Sequence, residues 1–193
     1  MKLFVNYVLT FLFIILSSKA VAIENDNEVN ASNFKVLFNK SQKKITIKKN
    51  TGSIIQVIEL ENSSNEESTI TIADFNFDGA DDISVSGDEG NVQRFSSVYL
   101  FSKSLGRFEL SKQFSEIPCI AIDSKKKTVS GECFHASACE NWVEKYSVGR
   151  QNKLNIIEKK GFFCEPANDR SYKYTERYRN GKLIQNRVTE IKP

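Results

Sequence analysis

From residue 34 onward the chain consists of short runs rich in β-branched and aromatic residues, each closed by a polar turn. FKVLF (34–38), KITIKK (44–49) and SIIQVIEL (53–60) come first, and KNTG (49–52) turns the second run into the third. TITIAD (69–74), DISVSG (82–87), FSSVYLFS (95–102) and GRFELSK (106–112) follow. CIAID (119–123) and KTVSGEC (127–133) flank a charged turn, and NWVEKYSV (141–148) and KLNIIEKKGFFC (153–164) flank GRQN. RSYKYTERY (170–178) and KLIQNRVTEI (182–191) flank RNG. Side chains alternate faces along a strand, so runs of this length and composition bury one face and stop at Gly, Asn or Ser. No long segment places apolar residues at i, i+3 and i+4, the spacing a helix needs to bury one face. Only LSKQFSEI (110–117) has room for a helical turn. The expected class is all-β, with antiparallel sheets of about ten to twelve short strands forming a sandwich, a barrel or a propeller-like array.

The first 22 residues are of another kind. Lys2 supplies a positive start, residues 8–16 are almost wholly apolar, and Ala20-Val21-Ala22 has the small-x-small form of a cleavage site. This pattern predicts a secretory signal peptide over 1–22, a flexible polar leader over 23–33 and a single β domain over 34–193. The apolar run falls short of the ~20 residues a membrane span needs, so no span is expected after cleavage. The expected location is the periplasm or the cell exterior. The chain holds 27 Lys+Arg and 24 Asp+Glu; losing Lys2 and Lys19 takes the balance from +3 to +1. That leaves no bulk attraction to nucleic acid or to an anionic membrane.

The four cysteines are Cys119, Cys133, Cys139 and Cys164. An even number in an exported chain reads as two disulfides, and the spacing, with a single histidine, does not suit zinc. The hairpins constrain the pairing. A turn near Lys125 and Lys126 makes residues face each other when their numbers sum to about 252, which joins Cys119 to Cys133. A turn near Gln151 makes the sum about 302, which joins Cys139 to Cys164. Facing residues in a sheet lie close to the Cα separation that a disulfide requires.

DFNFDGADD, residues 74–82, places five oxygen-bearing side chains around one glycine. With Asp74 as position 1, Asn76 is position 3, Asp78 position 5, Gly79 position 6, Ala80 position 7 and Asp82 position 9. Alternate side chains at 1, 3 and 5 converge on one ion in calcium loops, glycine permits the sharp turn, and position 7 offers a carbonyl. Asp74, Asn76, Asp78, Ala80 and Asp82 are the candidate calcium ligands. An EF-hand would have Glu at position 12, where this chain has Val85, and its flanks would be helices rather than strands. Phe75 and Phe77 alternate with the ligands and are expected to point into the core. The bare alternative is an acidic hairpin turn without an ion.

Catalytic signatures are sparse. His135 is the one imidazole and lies between two cysteines in CFHASAC, so a hydrolase triad is not expected. Glu140 and Glu144 are read as ordinary strand acids rather than a glycosidase pair. No phosphate loop is present. Tyr172, Tyr174 and Tyr178 share one strand face and Lys173 and Arg177 the other, which is ordinary sheet patterning rather than a base-stacking surface. The expected protein is therefore not an enzyme.

ITIADFNFDGADDISV, SSVYLFSKSLGRFELSKQFSEI, IDSKKKTVSGE and YSVGRQNKLNIIEKKGFFC, then RYRNGKL, occur in this order over about residues 68–190. The combination resembles exported bacterial FG-GAP-like calcium-binding proteins, whose characterised members resemble periplasmic lysozyme inhibitors that act as immunity proteins. The resemblance implies calcium held by the five residues named above. It also implies a protein partner, a cell-wall hydrolase or secreted effector that cleaves peptidoglycan. Inhibitors of related type carry a Ser-Gly-x-x-Tyr loop that enters the enzyme's cleft. Here Ser130, Gly131 and Phe134 stand at those positions, with Phe134 replacing the tyrosine; the alternative is that Ser130-Gly131 is only strand-end sequence. The alternative expectation is a calcium-dependent surface or adhesion module.

Overall fold

The computed structural model describes residues 26–60, 68–89, 93–167 and 169–191. The expected signal peptide lies outside the described residues. Among them are fourteen strands, one α-helical turn, α1, at Lys112–Ser115 where LSKQFSEI suggested it, and a 3-10 turn at Arg150–Asn152. Each strand pairs with its neighbours in sequence, and all pairs are antiparallel. The first sheet holds β1 (Asp26–Asn30), β2 (Phe34–Asn39), β3 (Lys44–Lys49) and β4 (Ile54–Glu59). The second holds β5 (Ile70–Ala73), β6 (Asp82–Glu89), β7 (Arg94–Ser102) and β8 (Arg107–Leu110). The third holds β9 (Ile120–Asp123), β10 (Thr128–Ser137), β11 (Glu140–Val148), β12 (Leu154–Glu165), β13 (Arg170–Arg179) and β14 (Lys182–Ile191).

The all-β class is therefore observed, as three open meanders rather than one closed barrel. The thirteen runs named in the sequence become β2–β14, above the expected ten to twelve. The fourteenth strand corrects the expected flexible leader: Asp26–Asn30 pairs along β2, from Asp26↔Asn39 to Asn30↔Lys35. The outer edge of β2 offers free main-chain donors and acceptors, and pairing with them needs no apolar pattern in the added strand.

The second sheet lies between two cores. Ile83, Val85, Tyr99 and Phe108 turn one way, onto Val36, Phe38, Ile45 and Ile47 of the first sheet. Val98 and Leu100 turn the other way, onto Phe114 of α1, Val129 of β10, and Ile120 and Ile122 of β9. Tyr99 enters the first core while its neighbours Val98 and Leu100 enter the second, so alternation along β7 feeds both. Burying each large apolar side chain stabilises by about 1.5–3 kcal/mol, so a sheet used on both faces gains twice from a short sequence.

A side chain seals the outer edge of β8. The Gln56 Nε2 of β4 donates to the Phe108 carbonyl at 3.0 Å, and its Oε1 accepts the Phe108 N–H at 2.8 Å. The amide therefore acts as a missing strand residue and ties the first sheet to the second. Gln56→Ala is expected to cost about 2 kcal/mol, two hydrogen bonds at ~1 kcal/mol each. Urea unfolding measures this, and a loss below ~0.5 kcal/mol would show that water replaces the amide freely.

Both disulfides join the expected partners, Cys119 to Cys133 and Cys139 to Cys164, with Cα separations of 5.6 and 5.7 Å. In β11 and β12 the register Asn141↔Phe162 and Trp142↔Gly161 extends directly to Cys139 and Cys164. In β9 and β10 the observed register, Gly131↔Ile120, is one residue short of the expected one. An irregularity between Gly131 and Phe134 supplies the missing residue and brings Cys133 opposite Cys119.

Candidate functional site

The connection from β5 to β6 is the acidic loop. Ala73 and Asp82 face each other across the two strands, so residues 74–81 form the turn. The turn is tight enough to need a left-handed backbone at Phe77 (φ 61°) and at Gly79 (φ 82°). Glycine adopts that conformation without a Cβ penalty. Phe75 is buried in the second core and Phe77 packs against it, which anchors the loop from below.

The polar side chains converge on the loop's own backbone. Asp74 accepts the N–H of Asp78 at Oδ1 (3.0 Å) and that of Gly79 at Oδ2 (2.9 Å). Asn76 Oδ1 also accepts the Asp78 N–H, at 3.2 Å, while its Nδ2 donates to Asp78 Oδ2 at 3.2 Å. Asp78 Oδ1 accepts the Ala80 N–H at 2.8 Å. Asp74, Asn76 and Asp78 thus bond one another and the loop backbone, down to the Ala80 N–H.

Asp82 sits at the root of the loop and is fully buried. Its Oδ2 accepts the Phe75 N–H at 2.9 Å and its Oδ1 the Phe101 N–H at 2.8 Å. Burial pushes its pKa up from 3.8 to about 7; the charge of Asp78 adds to the rise, and the backbone hydrogen bonds oppose it. No side-chain cation is bonded to Asp82 among the described residues.

The loop touches all three sheets. Asp81 Oδ2 accepts the N–H and the hydroxyl of Ser32, between β1 and β2, at 3.1 and 2.7 Å. Lys103, just past β7, donates to the Asp78 carbonyl at 2.5 Å and stands 3.4 Å from its carboxylate. Asn152, in the turn between β11 and β12, accepts from Asn76 Nδ2 at 3.2 Å. Lys103, Gln151 and Asn152 line an open cavity of about 520 Å³ beside Asp78. Sequence reasoning missed Ser32, Lys103 and Asn152. They lie far from the loop in sequence, and only the stacking of the sheets brings them to it.

The donor set suits a hard cation. Every donor is oxygen, and a carboxylate oxygen that accepts one N–H keeps a second lone pair. A divalent ion would also relieve the buried Asp82 of its nearby like charge. Among the described residues no three His, Cys, Asp or Glu side chains are arranged to hold a metal by themselves. The remaining ligands would be Asn76, the Ala80 carbonyl and water, within the six to eight oxygens calcium takes.

Ser130, Gly131 and Phe134 lie within β10, the strand alternative for this segment, and not on a projecting loop. Ser130 and Gly131 lie inside β10, paired with Ala121 and Ile120 on one side and with Lys145 and Glu144 on the other. The Ser130 hydroxyl donates to Glu132 at 3.1 Å. Gly131 is buried, and a Cβ there would meet the Phe134 ring at 2.5 Å and Ile117 at 2.8 Å. Phe134 stacks on Trp142 at 5.6 Å with a 9° interplanar angle, and Lys159 covers the Trp142 ring at 4.2 Å. The indole N–H donates to Glu144 at 2.8 Å, and the Tyr146 hydroxyl donates to the same carboxylate. Phe134 is one member of a packed aromatic row. The run KTVSGEC disclosed the pairing with β9, while the pairing with β11 on the other edge was not legible from the motif.

Among the described residues no helix is long and apolar enough to cross a membrane. The two disulfides are compatible with an exported protein in an oxidising compartment. No family model matches the chain, and no curated protein or solved structure matches it either.

Proposed function

We infer that this is an exported, calcium-stabilised β protein that binds and inhibits a peptidoglycan-cleaving hydrolase, in the manner of an immunity protein or lysozyme inhibitor. The observation that carries the calcium part is the position of the acidic loop at the junction of three sheets. Its contacts to Ser32, Lys103 and Asn152 make the loop a common anchor, so an ion there would fix the sheets relative to one another. The role is structural: the ion neutralises crowded carboxylates and stiffens the loop. Inhibition is supported by the ordered resemblance over about residues 68–190 and by the disulfide-braced third sheet, a rigid surface of the kind a protein partner meets.

Melting in calcium and in chelator tests the ion. Calcium at a hundredfold excess over its Kd is expected to add ~2.7 kcal/mol, several degrees in melting temperature. Asp78→Ala should abolish that increment, and an unchanged melting temperature in chelator would rule the ion out. Inhibition is tested by following peptidoglycan turbidity with a panel of lysozymes and effector hydrolases, including any encoded next to this gene. Loss of turbidity at the uninhibited rate throughout the panel would overturn the inhibitor reading and leave the calcium reading standing.

A further inference from the structure

The third sheet has two unlike faces. One carries the Phe134–Trp142 row. The other carries Lys145, Lys160, Lys173, Arg177 and Arg187 across β11 to β14, with Glu158 the carboxylate among them; facing residues in the register share a face. We propose that this basic face binds an acidic polysaccharide laid across the strands.

The register sets out the site. Lys160, Thr175 and Arg187 form one row across β12, β13 and β14, and Phe162, Lys173 and Thr189 form the next. Lys160, Lys173, Arg187 and the two threonines line an open cavity of about 410 Å³. A second cavity of about 480 Å³ shares Lys160 and Gly161 with the first and continues to Phe162, Asn141 and His135; Phe134, Trp142 and Glu132, whose carboxylate accepts the Ser130 hydroxyl, also border it. Together they form one track over β10 to β14, roughly 20 Å at ~4.8 Å between strands.

The charges on the track are unevenly satisfied. Glu158 is held by Lys160 at 2.7 Å and lies 3.7 Å from Arg177. Lys173 and Arg187 have no ion-pair partner among the described residues. Two unpaired cations with threonine hydroxyls between them form a receptor for a carboxylate or sulfate group. At the other end, Phe162 is exposed and offers an apolar surface for the face of a sugar ring, beside the Asn141 amide for its hydroxyls. A nucleic-acid strand would need free ring faces spaced along the track for successive bases; here Phe162, His135, Phe134 and Trp142 cluster in the second cavity, Phe134 and Trp142 already stacked on each other, and Tyr174 is the one ring lining the first. The inference does not depend on the loop binding calcium or on inhibition of a hydrolase.

The test measures binding of the intact protein to immobilised heparin (sulfated), polygalacturonate (carboxylated) and dextran (neutral), with a single-stranded oligodeoxynucleotide as competitor. Both acidic polymers should bind, dextran should not, and affinity should fall with salt. Replacing Lys173→Gln and Arg187→Gln together should weaken binding at least tenfold with an unchanged melting temperature. Lys48→Gln with Lys49→Gln, an equal loss of charge on β3, should stay within twofold. Phe162→Ala, which removes no charge, should weaken polygalacturonate more than the Lys48/Lys49 pair does. Absence of binding to both acidic polymers, or equal losses in the two charge variants, would overturn the proposal. Tighter binding of the oligonucleotide through Lys173 and Arg187 would overturn it too, assigning the face to nucleic acid.

Discussion

Asp82→Ala is expected to lower stability by about 3–4 kcal/mol and the melting temperature by roughly 10 °C. The side chain is fully buried, and its two oxygens satisfy the N–H groups of Phe75 and Phe101. Removing it leaves both donors buried without acceptors, and each such donor costs about 1–3 kcal/mol. Asp82→Asn keeps the volume but turns an NH₂ towards one of the two donors, so roughly half the loss should remain. The same residue imposes a pH dependence. Its folded pKa is raised, from 3.8 to about 7, so the folded state binds the proton more tightly than the unfolded chain. The stability this contributes is complete below pH ~4 and is lost as pH rises through 7. Urea unfolding at pH 5 and pH 8 in chelator, for the native protein and for Asp82→Asn, reads the difference. Equal pH slopes in the two proteins would show that Asp82 is not the titrating group.

The disulfides should have effects of similar size. Closing loops of 14 and 25 residues restricts the unfolded chain by about 3 and 3.5 kcal/mol in the chain-entropy account. Replacing Cys119 and Cys133 by serine, or Cys139 and Cys164, should cost about that much in each case. Both bonds staple the third sheet, so the losses are expected to fall on β9–β12 before the first sheet and its core. Denaturation midpoints measure the cost, and hydrogen exchange locates it. Losses under ~1 kcal/mol for both pairs would mean that the sheet holds itself without them. Peptide mapping of the unreduced chain checks the pairing directly, and a Cys133–Cys164 link would contradict it.

Local patterns disclosed most strands because alternation and turn residues act over a few positions. FKVLF, KITIKK and FSSVYLFS read as strands from their own composition, and they form β2, β3 and most of β7. Asp26–Asn30 did not, since its pairing is made by main-chain groups that every residue carries. The disulfide pairing was legible because hairpin register is arithmetic, and a one-residue irregularity in β10 was small enough to leave the partners unchanged. The acidic loop was legible as a list of oxygen donors. Its surroundings were not, because Ser32, Lys103 and Asn152 reach it from three different sheets. Ser130-Gly131 was legible as part of the strand-forming run KTVSGEC, and β9 and β11 hold it inside a sheet; the Ser-Gly-x-x-Phe spelling alone did not tell that strand from a loop.

The strict neighbour-to-neighbour strand order has a consequence for assembly. Every ladder closes a short stretch of chain, so hydrogen bonding in each meander requires little loop-closure entropy. The long-range step is the stacking of finished sheets onto the middle one. A chain emerging N-terminus first can complete the first meander, then the second, and join them through Gln56 and Phe108 before any cysteine appears. Oxidation then acts on a third sheet that already has a template to fold against. This order limits the partners each thiol can meet, and so favours the native pairing over the alternatives.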